Sequence, residues 1–483
     1  MMIESLIISY LYFLGLTVCV NIEDSKLRLL IAFPISLVIW GWYYFFARST
    51  FLIENYITYS NIENIVNFFF GASLLFIVVW MLYSKDRNAL NNNLLTSFWF
   101  FILVKILLLL KLPVIMSGDS FEMVDIFSNY ESMIIYKRSI FLNLIQSLSV
   151  YINEDYILST YIYLISINFY LLVGYFVFYM IEKLNIIQSN KYAISILVPI
   201  LLLSSFMGFY NFFYVNHHML VAIILLISAF LIYKYLDEPR ISYLVYMTIL
   251  IVGTILMRVE SAILSFIFLV IFLSNPNIIK RYFHSILFTY VTICSIYLLW
   301  VIGFMPDDAE IKPILYQVII LIMWVVTLSL YFADKTGWEF DKTFFVSLHK
   351  ITLLLSVILL LLLIFIKPIN MLWGARNVVI HLIYERSGAW GLLWYFVFGA
   401  VAYVYKRNKS NLTTKYNVLI FYFLISYIFM QILMFFRNPY TTYFGDSANR
   451  MLFHIVPFIL IWSVYIVCSN LSRSKKQKNY HLP

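Results

Sequence analysis

The segment FILVKILLLLKLPVIMSGDSFEMVDIF, residues 101–127, joins a long apolar run to a short acidic stretch. The apolar run can cross a membrane as one helix, because about 20 apolar residues span a bilayer. The acidic stretch places Asp119, Glu122 and Asp125 within seven residues. The segment therefore predicts a membrane span that ends in an acidic loop at one face of the bilayer.

The whole chain shares the apolar character of this span. Of its 483 residues, 63% are hydrophobic and 12% are charged, and the mean hydropathy is +0.89. This composition excludes a soluble globular protein, and the continuous apolar runs favour helices over the alternating strands of a barrel. We predict an all-α polytopic membrane protein with about 13–15 transmembrane helices and short interfacial helices in its outer loops.

The apolar runs give the approximate positions of the spans. Cys19, Cys294 and Cys468 all fall inside them without the spacing of a metal site, which predicts that they act as small core hydrophobes. The predicted spans are 5–20, 29–47, 65–83, 94–116, 156–181, 192–210, 217–236, 241–257, 260–274, 284–305, 313–333, 347–366, 390–405, 418–435 and 451–469.

The loops between these spans differ in basic charge. Alternate loops, together with the tail from 470, carry 20 Lys and Arg, whereas the other set carries 10 although its loops are longer. The positive-inside rule places the more basic set and the C-terminus in the cytoplasm. The net charge of +9 thus reports topology, and the acidic loop after the fourth predicted span faces outward.

This outer loop, residues 117–155, begins with Gly118-Asp119-Ser120. Its stretch SIFLNLIQSLSVYI, 139–152, is too short to span a bilayer and suits a helix lying in the interface. An aspartate at the mouth of a span can act as a catalytic base. It can equally cap a helix in a plain polar loop.

Two shorter outer connections also carry polar residues. NFFYVNHHM, 211–219, contains His217 and His218, which are either interface residues or contacts to a phosphate, a sugar hydroxyl or a divalent cation. LMRVESA, 256–262, places Arg258 and Glu260 between two apolar runs. Charges so close to hydrocarbon must pair or line a wet cavity.

The last two outer segments carry arginines. Arg376 lies in a weakly amphipathic stretch within 367–391, and arginine suits bidentate recognition of phosphate. The second Gly-Asp-Ser triplet contains Asp446 and lies between Arg437 and Arg450. Arg450 and His454 are four residues apart at the predicted start of the last helix. An arginine there opposes the helix dipole, which favours a role in binding an anion.

The layout of the chain resembles the GT-C superfamily of integral-membrane glycosyltransferases. The shared features are an aspartate in the first long outer loop, interfacial helices, many spans and an outer arginine before the last span. The residues that carry the likeness are GDSFEMVD, 118–125, and GDSANRMLFHIVP, 445–457. The chain is similar in character to the serotype-conversion transferases that modify O-antigen. The likeness covers 94–469 and leaves an N-terminal transmembrane module, 1–93, and a basic cytoplasmic tail, 470–483. GT-C enzymes usually place the aspartate loop after the first span, and here it follows the fourth.

The resemblance implies an inverting transfer of a sugar from a polyprenyl-phosphate carrier to an O-antigen or other surface glycan, at the outer face of a bacterial inner membrane. Asp119, or failing it Asp125, would be the base. The implied partners are the lipid-linked donor, the acceptor and membrane lipid, with no nucleic acid. The resemblance implies no particular cofactor, and a divalent cation is kept as an alternative. The residues implied to bind substrate or phosphate are Glu122, His217, His218, Arg258, Glu260, Arg376, Arg437, Asp446, Arg450 and His454.

Two other functions fit parts of the sequence. A polymerase or ligase of lipid-linked polysaccharide units also acts at the outer face, but such proteins commonly carry one dominant outer loop. A transporter or flippase is polytopic too, but it tends to show internal repeats and a site at the midplane. Two matching Gly-Asp-Ser triplets are weak support for a repeat.

Overall fold

The computed structural model describes residues 2–52, 87–110, 114–115, 154–184, 186–214, 217–257, 260–303, 314–336, 347–383, 390–407, 421, 424–425, 428, 450 and 452–479. These residues form helices and short connections, with no β-strand among them. The α-helices are α1 (Met2–Val18), α2 (Ser25–Leu52), α3 (Arg87–Leu109), α4 (Glu154–Glu182), α5 (Gln188–Ser204), α6 (Phe206–Phe213), α7 (His217–Asp237), α8 (Ile241–Met257), α9 (Glu260–Leu273), α10 (Pro276–Gly303), α11 (Ile314–Lys335), α12 (Leu348–Ile366), α13 (Pro368–Ile383), α14 (Leu393–Arg407) and α15 (Val456–Asn479).

Several of these helices have the length and composition of membrane spans. Within the described ranges, α3, α4, α7, α10 and α12 each contain a segment long and apolar enough to cross a bilayer. Shorter apolar segments lie in α1, α8, α14 and α15. The prediction of an all-α, multi-pass membrane protein is confirmed at this level. The larger predicted number of spans, the GT-C-like arrangement and the division at residue 93 stay predictions.

The predicted span 192–210 is not one straight helix, because the chain bends by 84° between α5 and α6. Ser205 at the bend has an extended backbone and begins α6 as its N-cap. Its hydroxyl donates to the Leu202 carbonyl at 2.7 Å and accepts from the Gly208 amide at 3.0 Å. These bonds satisfy backbone groups that a helix end leaves unpaired. The path of the chain here therefore depends on the Ser205 hydroxyl as well as on apolar composition.

The last helix begins later than the sequence predicted. α15 starts at Val456, and Phe453–Ile455 form a turn before it, with the Ile455 amide donating to the Leu452 carbonyl at 2.9 Å. Arg450 and His454 therefore precede the final helix instead of lying on its first turn. The helix also continues past the predicted membrane boundary at 469, through the basic residues, to Asn479.

The chain divides into two compact units, and unit 1 comprises Met1–Ile165, Val215–Ile263 and Phe288–Ser329. Within it α1 packs against α2 and α3, and α8 packs against α2 and α7. The α1–α2 crossing is close, because a Cβ at Gly15 would overlap the backbone of Ala32. In a membrane the hydrophobic effect does not drive helices together, so helix pairs depend on close packing, which small residues allow.

Charged residues cluster at one end of unit 1, in the connection after α1 and at the end of α7. Lys234 pairs with Asp24 at 3.1 Å, and Arg240 pairs with Glu23 at 2.7 Å and with Glu238 at 3.3 Å. The hydrogen bond and charge of Arg240 hold the pKa of the exposed Glu23 below its ordinary value. The segments 21–28 and 234–240 therefore lie together, as expected for two loops that the charge pattern assigns to one face.

Unit 2 comprises Ser166–Tyr214, Leu264–Leu287 and Leu330–Pro483. Within it α15 packs against α5 and α14, and Phe268 of α9 contacts Phe458 of α15 at 4.6 Å between ring centroids. All three cysteines, of both units, are free thiols with buried side chains, as the sequence predicted.

Candidate functional site

Four of the predicted site residues are described with their side chains: His218, Arg376, Arg450 and His454. His217 and Glu260 are placed only through their backbone, as the first residues of α7 and α9. Neither Gly-Asp-Ser triplet is described, so the predicted base stays a prediction. The predicted residues outside the described ranges are Asp119, Glu122, Asp125, Arg258, Arg437 and Asp446.

Arg450 lies in unit 2 with its side chain against Tyr214. It is 8% exposed, and Nη1 donates a hydrogen bond of 2.5 Å to the Tyr214 hydroxyl. The guanidinium carbon also lies 5.3 Å from the centroid of the Tyr214 ring. A cation over an aromatic face is attracted to the ring, and burial strengthens this attraction. Tyr214 therefore fixes the position of the guanidinium by two contacts.

The end of α6 positions Tyr214. The Tyr170 hydroxyl donates to the Gly208 carbonyl at 2.8 Å, and the Ser166 hydroxyl donates to the Phe212 carbonyl at 2.9 Å. Both donors belong to α4, so two hydrogen bonds attach α6 to that helix along its length. Tyr214 follows α6 directly in extended backbone. The bend at Ser205 and these bonds together determine where its ring lies.

Aromatic side chains contact Tyr214 and Phe453, which follows Arg450 by three residues. Tyr210 lies 4.8 Å from Tyr214 between ring centroids. Phe453, near Arg450 in the chain, lies 5.3 Å from Phe169 and 6.3 Å from Trp390. Phe169, Phe453 and Trp390 are fully buried. Apolar surroundings of this kind exclude water and strengthen the interaction of a cation with an anion.

Asn211 adds a buried polar group to the same short helix. Its amide nitrogen donates to the Met207 carbonyl at 2.8 Å. Within the described part of the chain, its side-chain oxygen is buried without a hydrogen-bond partner. An open buried acceptor is costly, so a hydroxyl donor that reached it would bind favourably. Asn211 on α6 is thus a further group that can contact a polar ligand.

The other described site residues lie in different surroundings. His454 is fully buried four residues after Arg450 in unit 2, and His218 is fully buried near the start of α7 in unit 1. Arg376 is exposed on α13, where its guanidinium carbon lies 4.9 Å from the Trp373 ring centroid. Arg376, Arg450 and His454 all belong to unit 2, and of these Arg450 and His454 lie only four residues apart in the chain.

The arrangement around Arg450 can hold an anionic oxygen. Arginine presents several donors in a planar fork that matches phosphate and carboxylate, and it stays charged at all physiological pH values. A buried, oriented guanidinium needs little reorganisation when negative charge develops nearby. Across the described residues, no group of three or more His, Cys, Asp or Glu lies close enough to hold a metal ion.

Sequence reasoning missed Tyr214 and Asn211 as site residues. Both belong to NFFYVNHHM, which the sequence singled out for its histidines. The available signal was a tyrosine and an asparagine in a predicted outer connection, since buried tyrosines and amides need partners. The residues that Tyr214 would contact could not be read from this segment.

No protein-family model matches this chain, and comparisons with curated proteins and with solved structures give no match either.

Proposed function

We propose that the chain is an inverting glycosyltransferase that moves a sugar from a polyprenyl-phosphate carrier to a surface glycan at the outer face of the membrane. The observation that carries the proposal is the buried guanidinium of Arg450, held by the hydroxyl and the ring of Tyr214. A lipid phosphate leaving a sugar gains negative charge in the transition state, and this group is suited to stabilise it.

The location of Arg450 in the chain supports a lipid-linked ligand. It lies just before α15, whose apolar segment begins at Val456. A polyprenyl phosphate keeps its tail in the hydrocarbon and its phosphate at the membrane boundary, where a cation at the start of an apolar segment can meet it. Asn211 would accept a hydrogen bond from a hydroxyl of the sugar.

The proposed reaction is a single displacement at the anomeric carbon. The acceptor oxygen forms the new bond to this carbon as the bond to the phosphate oxygen breaks, with inversion of configuration. The acceptor proton passes to the carboxylate of Asp119, and the bonding electron pair leaves with the lipid phosphate beside Arg450. A positioned base contributes about 10²–10⁴-fold to such a step.

The test is sugar transfer by membranes that carry the full-length protein, with a radiolabelled polyprenyl-phosphate sugar and a lipid-linked glycan acceptor. Asp119→Asn and Arg450→Gln are each expected to abolish most transfer while the protein still inserts. Arg240→Gln, which removes an arginine at the charged end of unit 1, is the matched control and is expected to transfer normally. Normal transfer by Arg450→Gln would refute the role of the arginine.

A transporter of an anionic lipid or sugar is the second candidate, because of the 84° break between α5 and α6. Discontinuous helices form the binding sites of many transporters. The two functions predict different products in the same membranes. Transport moves the intact donor to the other leaflet, whereas transfer releases a free polyprenyl phosphate and a longer glycan.

A further inference from the structure

The helix α13 begins next to the end of a membrane span. α12 is apolar and only 6% of its apolar segment is buried, as expected for a helix surrounded by lipid. Lys367 follows its last residue, Ile366, and α13 starts at Pro368. Proline suits the first position of a helix, and only Lys367, whose backbone is not helical, separates the two helices. The start of α13 must therefore lie near the membrane boundary where α12 ends.

α13 has two different sides. Met371 is buried against Leu363 and Leu360 of α12, and Gly374, three residues further on, is buried as well. Ile369, Leu372, Trp373 and Arg376 are exposed, and their spacing of three and four residues places them on one face. Leu372 is 72% exposed and Trp373 is 53% exposed. We call these four residues the α13 outer face.

The α13 outer face combines apolar surface with positive charge. The guanidinium carbon of Arg376 lies 4.9 Å from the Trp373 ring centroid, so the cation and the indole form one amphipathic group. Lys367 adds a second exposed cation at the start of the helix. The sequence of α13, PINMLWGARNVVIHLI, contains no acidic residue. Its charge therefore complements an anionic surface.

We propose that the α13 outer face is seated in the phospholipid headgroup layer of the leaflet where α12 ends. Ile369 and Leu372 enter the upper acyl region, Trp373 lies at the headgroup level, and Arg376 binds lipid phosphates. Tryptophan and arginine side chains are suited to this layer, because each has an apolar body and a polar end. An amphipathic helix with such residues lies in the plane of the interface.

The depth of the helix can be measured with nitroxide labels on single introduced cysteines in full-length protein reconstituted into phosphatidylcholine–phosphatidylglycerol vesicles. The labelled positions are Leu372 on the α13 outer face, Leu355 in the exposed middle of α12 and Thr336 in the turn after α11. Collision with oxygen reports lipid, and collision with a soluble nickel chelate reports water. We expect Leu372 to lie between Leu355 and Thr336 on both scales.

The charge is tested by substitutions at Arg376 beside the Leu372 label. Arg376→Glu is expected to shift the label toward the Thr336 values, and Arg376→Lys, which keeps the positive charge, is expected to leave it in place. A Leu372 label that equals the water reference, or that moves equally in both variants, would refute the proposal. An immobilised label inaccessible to both reagents would instead show that protein covers this face, which also overturns it.

Discussion

The guanidinium of Arg450 donates a 2.5 Å hydrogen bond to the hydroxyl of Tyr214, although 236 residues separate the two in the chain. The contact joins the segment just before the last helix to the end of the bent pair α5–α6. Because the guanidinium also lies over the Tyr214 ring, its orientation depends on the position of α6. Substitutions at the bend should therefore change the orientation of the Arg450 side chain without contacting it.

Tyr214→Phe tests the hydrogen bond separately from the ring. The variant keeps the aromatic face under the guanidinium and removes the hydroxyl that accepts its hydrogen bond. A hydrogen bond to a charged group is worth about 1.5–3 kcal/mol, and about 1.4 kcal/mol changes a rate tenfold. We expect sugar transfer to fall by about one to two orders of magnitude, less than in Arg450→Gln. Initial rates at saturating donor measure the effect.

Gly208→Ala tests the bend. A Cβ on Gly208 would overlap the Leu202 carbonyl oxygen, which is backbone and cannot rotate away. We expect a lower thermal unfolding midpoint in detergent, measured by the change in intrinsic fluorescence. Gly399→Ala in α14 is the control, because nothing lies within 4 Å of its added Cβ. The control should be neutral or stabilise by about 0.5–1 kcal/mol, since alanine favours helices. Equal midpoints for the two variants would contradict the tight contact at the bend.

Glu23→Gln tests the charged end of unit 1 by pH. The pKa of Glu23 is lowered from 4.5, first by its hydrogen bond from Arg240 and then by the charge of that residue. A lowered carboxyl pKa stabilises the folded state above 4.5, and this contribution disappears as the pH falls through the lowered value. Wild type should therefore unfold at a higher temperature than Glu23→Gln at neutral pH, and the difference should vanish in strong acid.

Salt provides the control for this pH effect. Glu23 is exposed, so the difference between wild type and Glu23→Gln should be small and should shrink further at high ionic strength. A difference that persists in strong acid would assign the effect to packing instead of charge.

The ion pairs Glu23–Arg240 and Asp24–Lys234 also predict a shared membrane face for two loops. Cysteines introduced at Lys26 and at Glu238, which are both exposed, should react with a membrane-impermeant maleimide from the same side. The charge pattern predicts that this side is cytoplasmic, so labelling should occur in inverted vesicles and not in intact cells. Labelling from opposite sides would contradict the contact.

The sequence by itself determined that this protein is helical and membrane-embedded. Runs such as 348–366 are apolar enough to require a hydrogen-bonded helix in lipid, and hydropathy is a property of neighbouring residues. The sequence also indicated that the loops 21–28 and 234–240 lie at the same membrane face, because the positive-inside rule assigns both basic loops to the cytoplasm. Arg450 could also be identified as a candidate site residue from the sequence, because a charge beside an apolar span must pair or line a wet cavity.

Only the tertiary structure decided the bend at Ser205 and the partner of Arg450. Both sides of Ser205 are apolar, and the chain turns there because one hydroxyl satisfies the backbone at both helix ends. Tyr214 meets Arg450 because α4 holds α6 by hydrogen bonds from Ser166 and Tyr170. Such contacts join residues far apart in the chain, and no local pattern records them.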